Sequence, residues 1–157
     1  MKTLDYTQLE AKTAKNVAEE LQTLLADFQV FYTNMRGFHW NVKGRGFYQL
    51  HELFEKMYDD AAEKIDQIAE RILMLGEVPA HNFSHYLKAS QIKESGVVSD
   101  PDEIVKLILE SLKILISQER KVLDLAAEGS DEVTVAMISD FLTEQEKSVW
   151  MLTSYLA

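Results

Sequence analysis

The sequence predicts an all-α protein, a four-helix bundle with one long crossover that contains a short helix. Three observations carry this. Apolar residues recur at spacings of three and four over long stretches, the period of one helical face. Only six glycines and two prolines punctuate 157 residues, too few for a sandwich of many short strands. The breaks that do occur leave four segments of about 25 to 30 residues, with one long gap between the second and third. The length suits a single domain, residues 1–157, with a sizeable core.

The first helix is expected from about Thr7 to Phe38, with Val17, Leu21, Leu24, Leu25, Phe28, Phe31, Tyr32 and Met35 on one face. The second starts near Phe47 and carries Leu53, Phe54, Met57, Ala61, Ile65, Ile68 and Ile72; Gly76 is a natural C-terminal stop, with Pro79 beyond. Residues 77–100 form the crossover, with a short helix around "NFSHYLKAS". The third helix opens at "SDPDEI", where Asp100 can cap, Pro101 fits the first helical position, and Asp102 and Glu103 complement the dipole; it stops at Gly129. The fourth starts with Ser130 or Asp131 as cap and runs almost to the end.

Composition removes several function classes. Without cysteine there are no disulfides, thiolate nucleophiles or Cys-ligated metals, which is compatible with a cytoplasmic protein. The opening "MKTLDYTQLEAKTAKN" lacks the apolar region of a signal peptide, and no apolar run approaches the roughly 20 residues of a membrane span. A formal net charge of −10 opposes nucleic acid and anionic lipid and favours cations.

The chemistry concentrates around "FHWNVKGRGFYQLH", which holds two of only four histidines, His39 and His51. On the second helix, Glu52, Glu55, Asp59, Glu63, Asp66 and Glu70 fall within a sector of about 80°, opposite the apolar face. Each feature alone has an ordinary explanation: a solvated acidic face, a core histidine at 39, a boundary histidine at 51. Together, two imidazoles and the i, i+4 carboxylates of Asp66 and Glu70 make a ligand set suited to iron(II). They cannot meet within one chain, since Asp66 lies roughly 22 Å and Glu70 roughly 28 Å along the helix from His51. The sequence also contains no Glu-x-x-His, the inward-facing pair of ordinary di-iron bundles. Two copies of the second helix packed antiparallel about a two-fold axis remove the difficulty. His39 and His51 of one subunit would then meet Asp66 and Glu70 of the partner subunit, twice per interface.

"FHWNVKGRGFYQLHELFEKMY" followed by "EKIDQIAER" resembles the signature of Dps-type mini-ferritins, with Asp66 and Glu70 at 27 and 31 residues past His39. The resemblance extends over essentially the whole chain, including "SVWML" near the C-terminus. It implies a ferritin-like fold and a hollow dodecamer whose two-fold sites oxidise iron(II), with hydrogen peroxide preferred to dioxygen. It also implies a ferric mineral stored inside, protecting DNA and protein. The implied ligands are His39, His51, Asp66 and Glu70. Glu55 stands where many members carry aspartate, and is expected as an auxiliary ligand one methylene longer. Trp40 is similar to a site-adjacent aromatic that intercepts oxidising equivalents, with an interface or packing role equally open.

Other features weigh less. His81 and His85, at i and i+4, read as interface or surface histidines. Asp131, Asp140, Glu144 and Glu146 are candidates for cation-admitting pores, with a solvated face as the default. Glu52, Glu55, Asp59 and Glu63 offer an anionic wall for ferric mineral. The alternative function is a DNA-binding, nucleoid-compacting protein. Yet Lys2, Lys12 and Lys15 are diluted by Asp5 and Glu10, and "TSYLA" offers no basic tail, so direct DNA binding is expected to be weak or absent. A metal-free interaction bundle ranks last, because it leaves the ligand pattern unexplained.

Overall fold

The computed structural model describes residues 3–157; Lys2 lies outside the described residues. Among these residues there are six helices and no strand: α1 (Leu4–Thr7), α2 (Ala11–Asn41), α3 (Phe47–Met74), α4 (Phe83–Ala89), α5 (Pro101–Glu128) and α6 (Glu132–Leu156). The long helices α2, α3, α5 and α6 form the bundle, and α4 is the short helix of the crossover.

The expected first helix is α2, which starts at Ala11 instead of Thr7, with the short α1 before it. Gln8 adopts a left-handed conformation (φ 59°), which ends α1. The Glu10 carboxylate then accepts from Lys12 N (2.9 Å) and Thr13 N (2.7 Å), starting α2 afresh. At its far end α2 runs three residues past Phe38, closed by Val42 N donating to Phe38 O (2.9 Å). His39 and Trp40 are therefore helical.

Gly44 (φ 102°) and Gly46 (φ 73°) supply the backbone conformations that turn α2 into α3, where an L side chain would be strained. Lys43 N donates to Ser99 O (3.0 Å), tying this turn to the end of the crossover. Helix α3 stops as expected, with Gly76 N on Leu73 O (2.9 Å) and Glu77 N on Ile72 O (3.1 Å). Asp100 caps α5 by accepting from Glu103 N (2.9 Å), with Pro101 as the first helical residue. Asp131, not Ser130, caps α6 through Thr134 N (3.0 Å).

Helix α2 is central, packing against α3, α5 and the crossover helix α4. Leu21, Leu24, Phe28 and Met35 of α2 meet Phe54 and Ile68 of α3, Ile108 and Leu115 of α5, and Ile138 of α6 in one core, all at 0–1% exposure. Each such side chain contributes about 1.5–3 kcal/mol on burial. The crossover has little core of its own and is held by polar groups of α2. Asp27 accepts from Ser90 Oγ (2.9 Å) and Gln91 N (2.6 Å), and Asn34 bonds both Lys93 O and Ser95 N at 2.9 Å. Among the described residues no helix is long and apolar enough to cross a membrane.

Candidate metal centre

His39 lies in the last turn of α2 and His51 one turn into α3, so the Gly44–Gly46 turn brings them face to face. Their rings stack with centroids 3.7 Å apart and planes 18° from parallel. Each imidazole bonds the other residue's backbone: His39 Nδ1 lies 2.7 Å from His51 O, and His51 Nδ1 lies 2.9 Å from His39 O. A carbonyl oxygen only accepts, so both Nδ1 atoms must carry the proton and donate. In the neutral ring that leaves the lone pair on Nε2. A backbone carbonyl on the other nitrogen is also how proteins orient metal-binding histidines.

Aromatic neighbours hold the pair. Phe47 stacks on His51 (5.1 Å, 24°) and Tyr58 meets His39 edge-on (5.4 Å, 83°). These two supports escaped the sequence reading, although Phe47 at i−4 and Tyr58 at i+7 from His51 share its helical face. Burial pushes the Tyr58 phenol above its usual pKa, with the charges of Glu55 and Asp59 adding to it, so it stays protonated.

Helix α3 is unbroken from Phe47 to Met74, so Asp66 and Glu70 remain roughly 22 and 28 Å along the axis from His51. Glu52, Glu55, Asp59, Glu63, Asp66 and Glu70 are all exposed, facing away from their own bundle. Glu52 pairs with Lys56 (2.7 Å). Among the described residues of one chain, no three histidine or acidic side chains gather to hold a metal. The fold joins His39 to His51 and leaves Glu55, Asp66 and Glu70 apart from them.

Other candidates resolve differently. Asp131 is 3% exposed and committed to Arg71 (2.6 Å) and Thr134, so it cannot line a pore. Glu146 pairs with Arg120 (2.6 Å) and Glu144 with Lys64, while Asp140 is exposed. His81 precedes α4 and is not on one helix with His85; both are exposed. Trp40 is 64% exposed under the Arg36 guanidinium (4.7 Å), which excludes packing inside its own bundle.

Comparison with known proteins gives the family. The ferritin-like domain family matches residues 18–157. The DNA protection during starvation protein of Porphyromonas gingivalis is 47% identical over 98% of this chain and 97% of its own. The DNA protection during starvation protein 2 of Bacillus anthracis is 37% identical, covering 90% of this chain and 97% of its own. The chain belongs to the Dps family of mini-ferritins. Two Dps crystal structures superimpose closely. That of Vibrio cholerae, described as one of the ferritin-like diiron-carboxylate proteins, has a TM-score of 0.92 and 46% identity, covering 95% of this chain and 94% of its own. That of Bacillus brevis has a TM-score of 0.90 and 33% identity, covering 95% of this chain and all of its own. Membership accounts for the whole bundle, including the crossover with its short helix.

Proposed function

We propose that this chain is a ferroxidase and iron-storage mini-ferritin that works as a homo-oligomer, a dodecamer, in the cytoplasm. In each two-fold interface His39 and His51 of one subunit, with Asp66 and Glu70 of the partner subunit, bind the substrate iron(II). Glu55 serves as an auxiliary ligand. The observation that carries this is the reciprocal bonding of His39 and His51, which leaves two Nε2 lone pairs on rings 3.7 Å apart. Dinuclear centres separate their metals by about 3.5–4 Å. Neutral imidazole and carboxylate is a donor set that suits iron(II). Asp66 and Glu70 are exposed and face away from their own bundle, and an isologous interface would give them a role.

The chain's own groups perform three tasks. The acidic surface concentrates cations. The imidazole pair, locked by the two backbone carbonyls, presents both nitrogens without rearrangement. The partner's carboxylates neutralise the charge of the bound ions. Two iron(II) ions each give one electron to hydrogen peroxide; its O–O bond breaks and, with two protons, yields two waters, so no hydroxyl radical is released. Glu52, Glu55, Asp59 and Glu63 then offer oxygen donors for the ferric product. Removing iron(II) and peroxide together would protect DNA without contact to it, consistent with the formal charge of −10.

Complementation between subunits tests the shared site. His39→Ala and Asp66→Ala proteins are each expected to lose catalysed oxidation of iron(II) by peroxide while keeping helical content. Reassembled together in equal amounts, they should recover about a quarter of native activity: half the interfaces are mixed, and each of those keeps one of two sites. Recovery of nothing from well-folded, co-assembled variants would sink the shared site. A particle far from twelve subunits by light scattering would sink the cage.

A further inference from the structure

Two buried cations lie on the inner side of α3, behind the carboxylates of its outer side. Lys64 and Arg71 are one heptad apart and only 3% and 6% exposed. Lys64 donates to Asp60, one turn back, and to Glu144 of α6. Arg71 donates from Nε to Thr134 Oγ1 (2.8 Å) and from Nη2 to Asp131 Oδ1 (2.6 Å), the cap and first turn of α6. Its Nη1 lies 3.8 Å from Met74 Sδ, in the last residue of α3. At 100° per residue, Asp66 and Glu70 project roughly 100° to 160° away from these cations, and both are exposed.

A buried ion pair is a poor source of net stability, since apolar side chains of similar volume often serve a fold as well or better. Ile68 and Ile72 beside these cations are fully buried, so the same face packs by apolar contact too. What the cations add is direction. Apolar contact resists a small roll of the helix weakly, whereas a planar guanidinium bonded at two points does not permit it. With side chains reaching about 5–6 Å from the axis, a roll of roughly 20° moves an outer carboxylate by about 2 Å. That is the length of a metal–ligand bond. Glu70 also lies within the last turn and a half of α3, where helices fray, and Arg71 clamps that end to α6.

We propose that Arg71, with Lys64 as a second anchor, is a positioning residue for iron(II) binding. By clamping α3 to α6 it fixes the direction in which Asp66 and Glu70 meet His39 and His51 of the partner subunit. The inference rests on the function proposed above, and neither cation touches the metal.

Anaerobic iron(II) binding, read as a dissociation constant by equilibrium dialysis, tests this alongside particle size and melting temperature. Arg71→Met is expected to weaken binding by about tenfold or more in a particle of unchanged size. Simple electrostatics predicts the reverse, because deleting a nearby cation favours a second one. Arg71→Lys, which keeps the charge but not the fork, should fall between native and Arg71→Met. Should Asp131, left without its cation, stop Arg71→Met from folding, Arg71→Met with Asp131→Asn removes both charges and keeps a cap acceptor. The deciding comparison is made in protein carrying Asp66→Ala and Glu70→Ala. There Arg71→Met should weaken binding no further, because the side chains it acts through are gone. Equal losses in both backgrounds would make Arg71 a purely structural residue and overturn the proposal, as would native affinity in a folded Arg71→Met protein. Native binding that survives Asp66→Ala with Glu70→Ala undiminished overturns the shared site itself, and the positioning role with it.

Discussion

Glu119 carries the clearest pH signature of any single residue. Burial raises its carboxyl from 4.5 to about 7, against the smaller opposing effects of the Gln145 hydrogen bond and the Lys64 and Arg120 charges. Below about pH 4.5 the group is protonated folded or unfolded, and its contribution to stability is fully present. As pH rises from there to about 7, the unfolded chain releases this proton while the folded chain holds it, so stability falls, by roughly 3 kcal/mol in all. Urea midpoints at fixed protein concentration should therefore decline between pH 5 and 7, and Glu119→Gln should flatten that decline. An unchanged slope in the variant would mean that Glu119 is ionised in the fold. None of this is readable from sequence. Glu119 and Lys64 are charged residues within otherwise amphipathic helices, and a hydropathy pattern assigns such residues to the surface. Histidines 39 and 51 were legible, because two rare residues flank a glycine turn. Their orientation was not, because it depends on backbone carbonyls that have no side-chain signature.

Each helix boundary that a capping residue or glycine marks in the sequence is where the structure has it: Asp100 with Pro101, Asp131, Gly76. The unforeseen break falls at Gln8, where the left-handed conformation sits on a residue that gives no notice of it. Gly129, expected only as a stop for α5, has a second role at the junction of elements. A Cβ there would come 1.8 Å from Thr13 Cγ2 and 3.1 Å from Thr13 Cβ, because the start of α2 lies against the end of α5. Gly129→Ala should thus cost about 1–3 kcal/mol through overpacking, read as a lower urea midpoint. Thr13→Ser, which removes the colliding methyl and keeps the hydroxyl near Glu10, should return part of that loss. Equal effects of Gly129→Ala with either residue at 13 would place the cost elsewhere.

At the scale of the whole molecule, a charge of −10 per chain makes the proposed cage a strongly anionic object. The initial rate of iron(II) oxidation should fall severalfold as salt rises from about 10 to 150 mM, since the screening length drops from about 30 to 8 Å. Peroxide is uncharged, so its concentration dependence should not move. A salt-independent rate would assign uptake to local ligands alone. The bundle and its single crossover were legible because helical period and chain length determine them together. The proposed shared site follows only from a contradiction: a histidine pair and two carboxylates separated along one unbroken helix by more than a metal can bridge.

The crossed bonds between His39 and His51 have a consequence for how this half of the proposed site would fail. Each imidazole is held by the other residue's carbonyl, at 2.7 and 2.9 Å, and each leans on the other's ring. Losing one side chain strips the survivor of its stacking partner and leaves the carbonyl it faced without its donor. The survivor keeps its bond to the other residue's backbone carbonyl but loses the ring it leans on, so damage to either histidine loosens both. Removing the second after the first should cost iron oxidation almost nothing more.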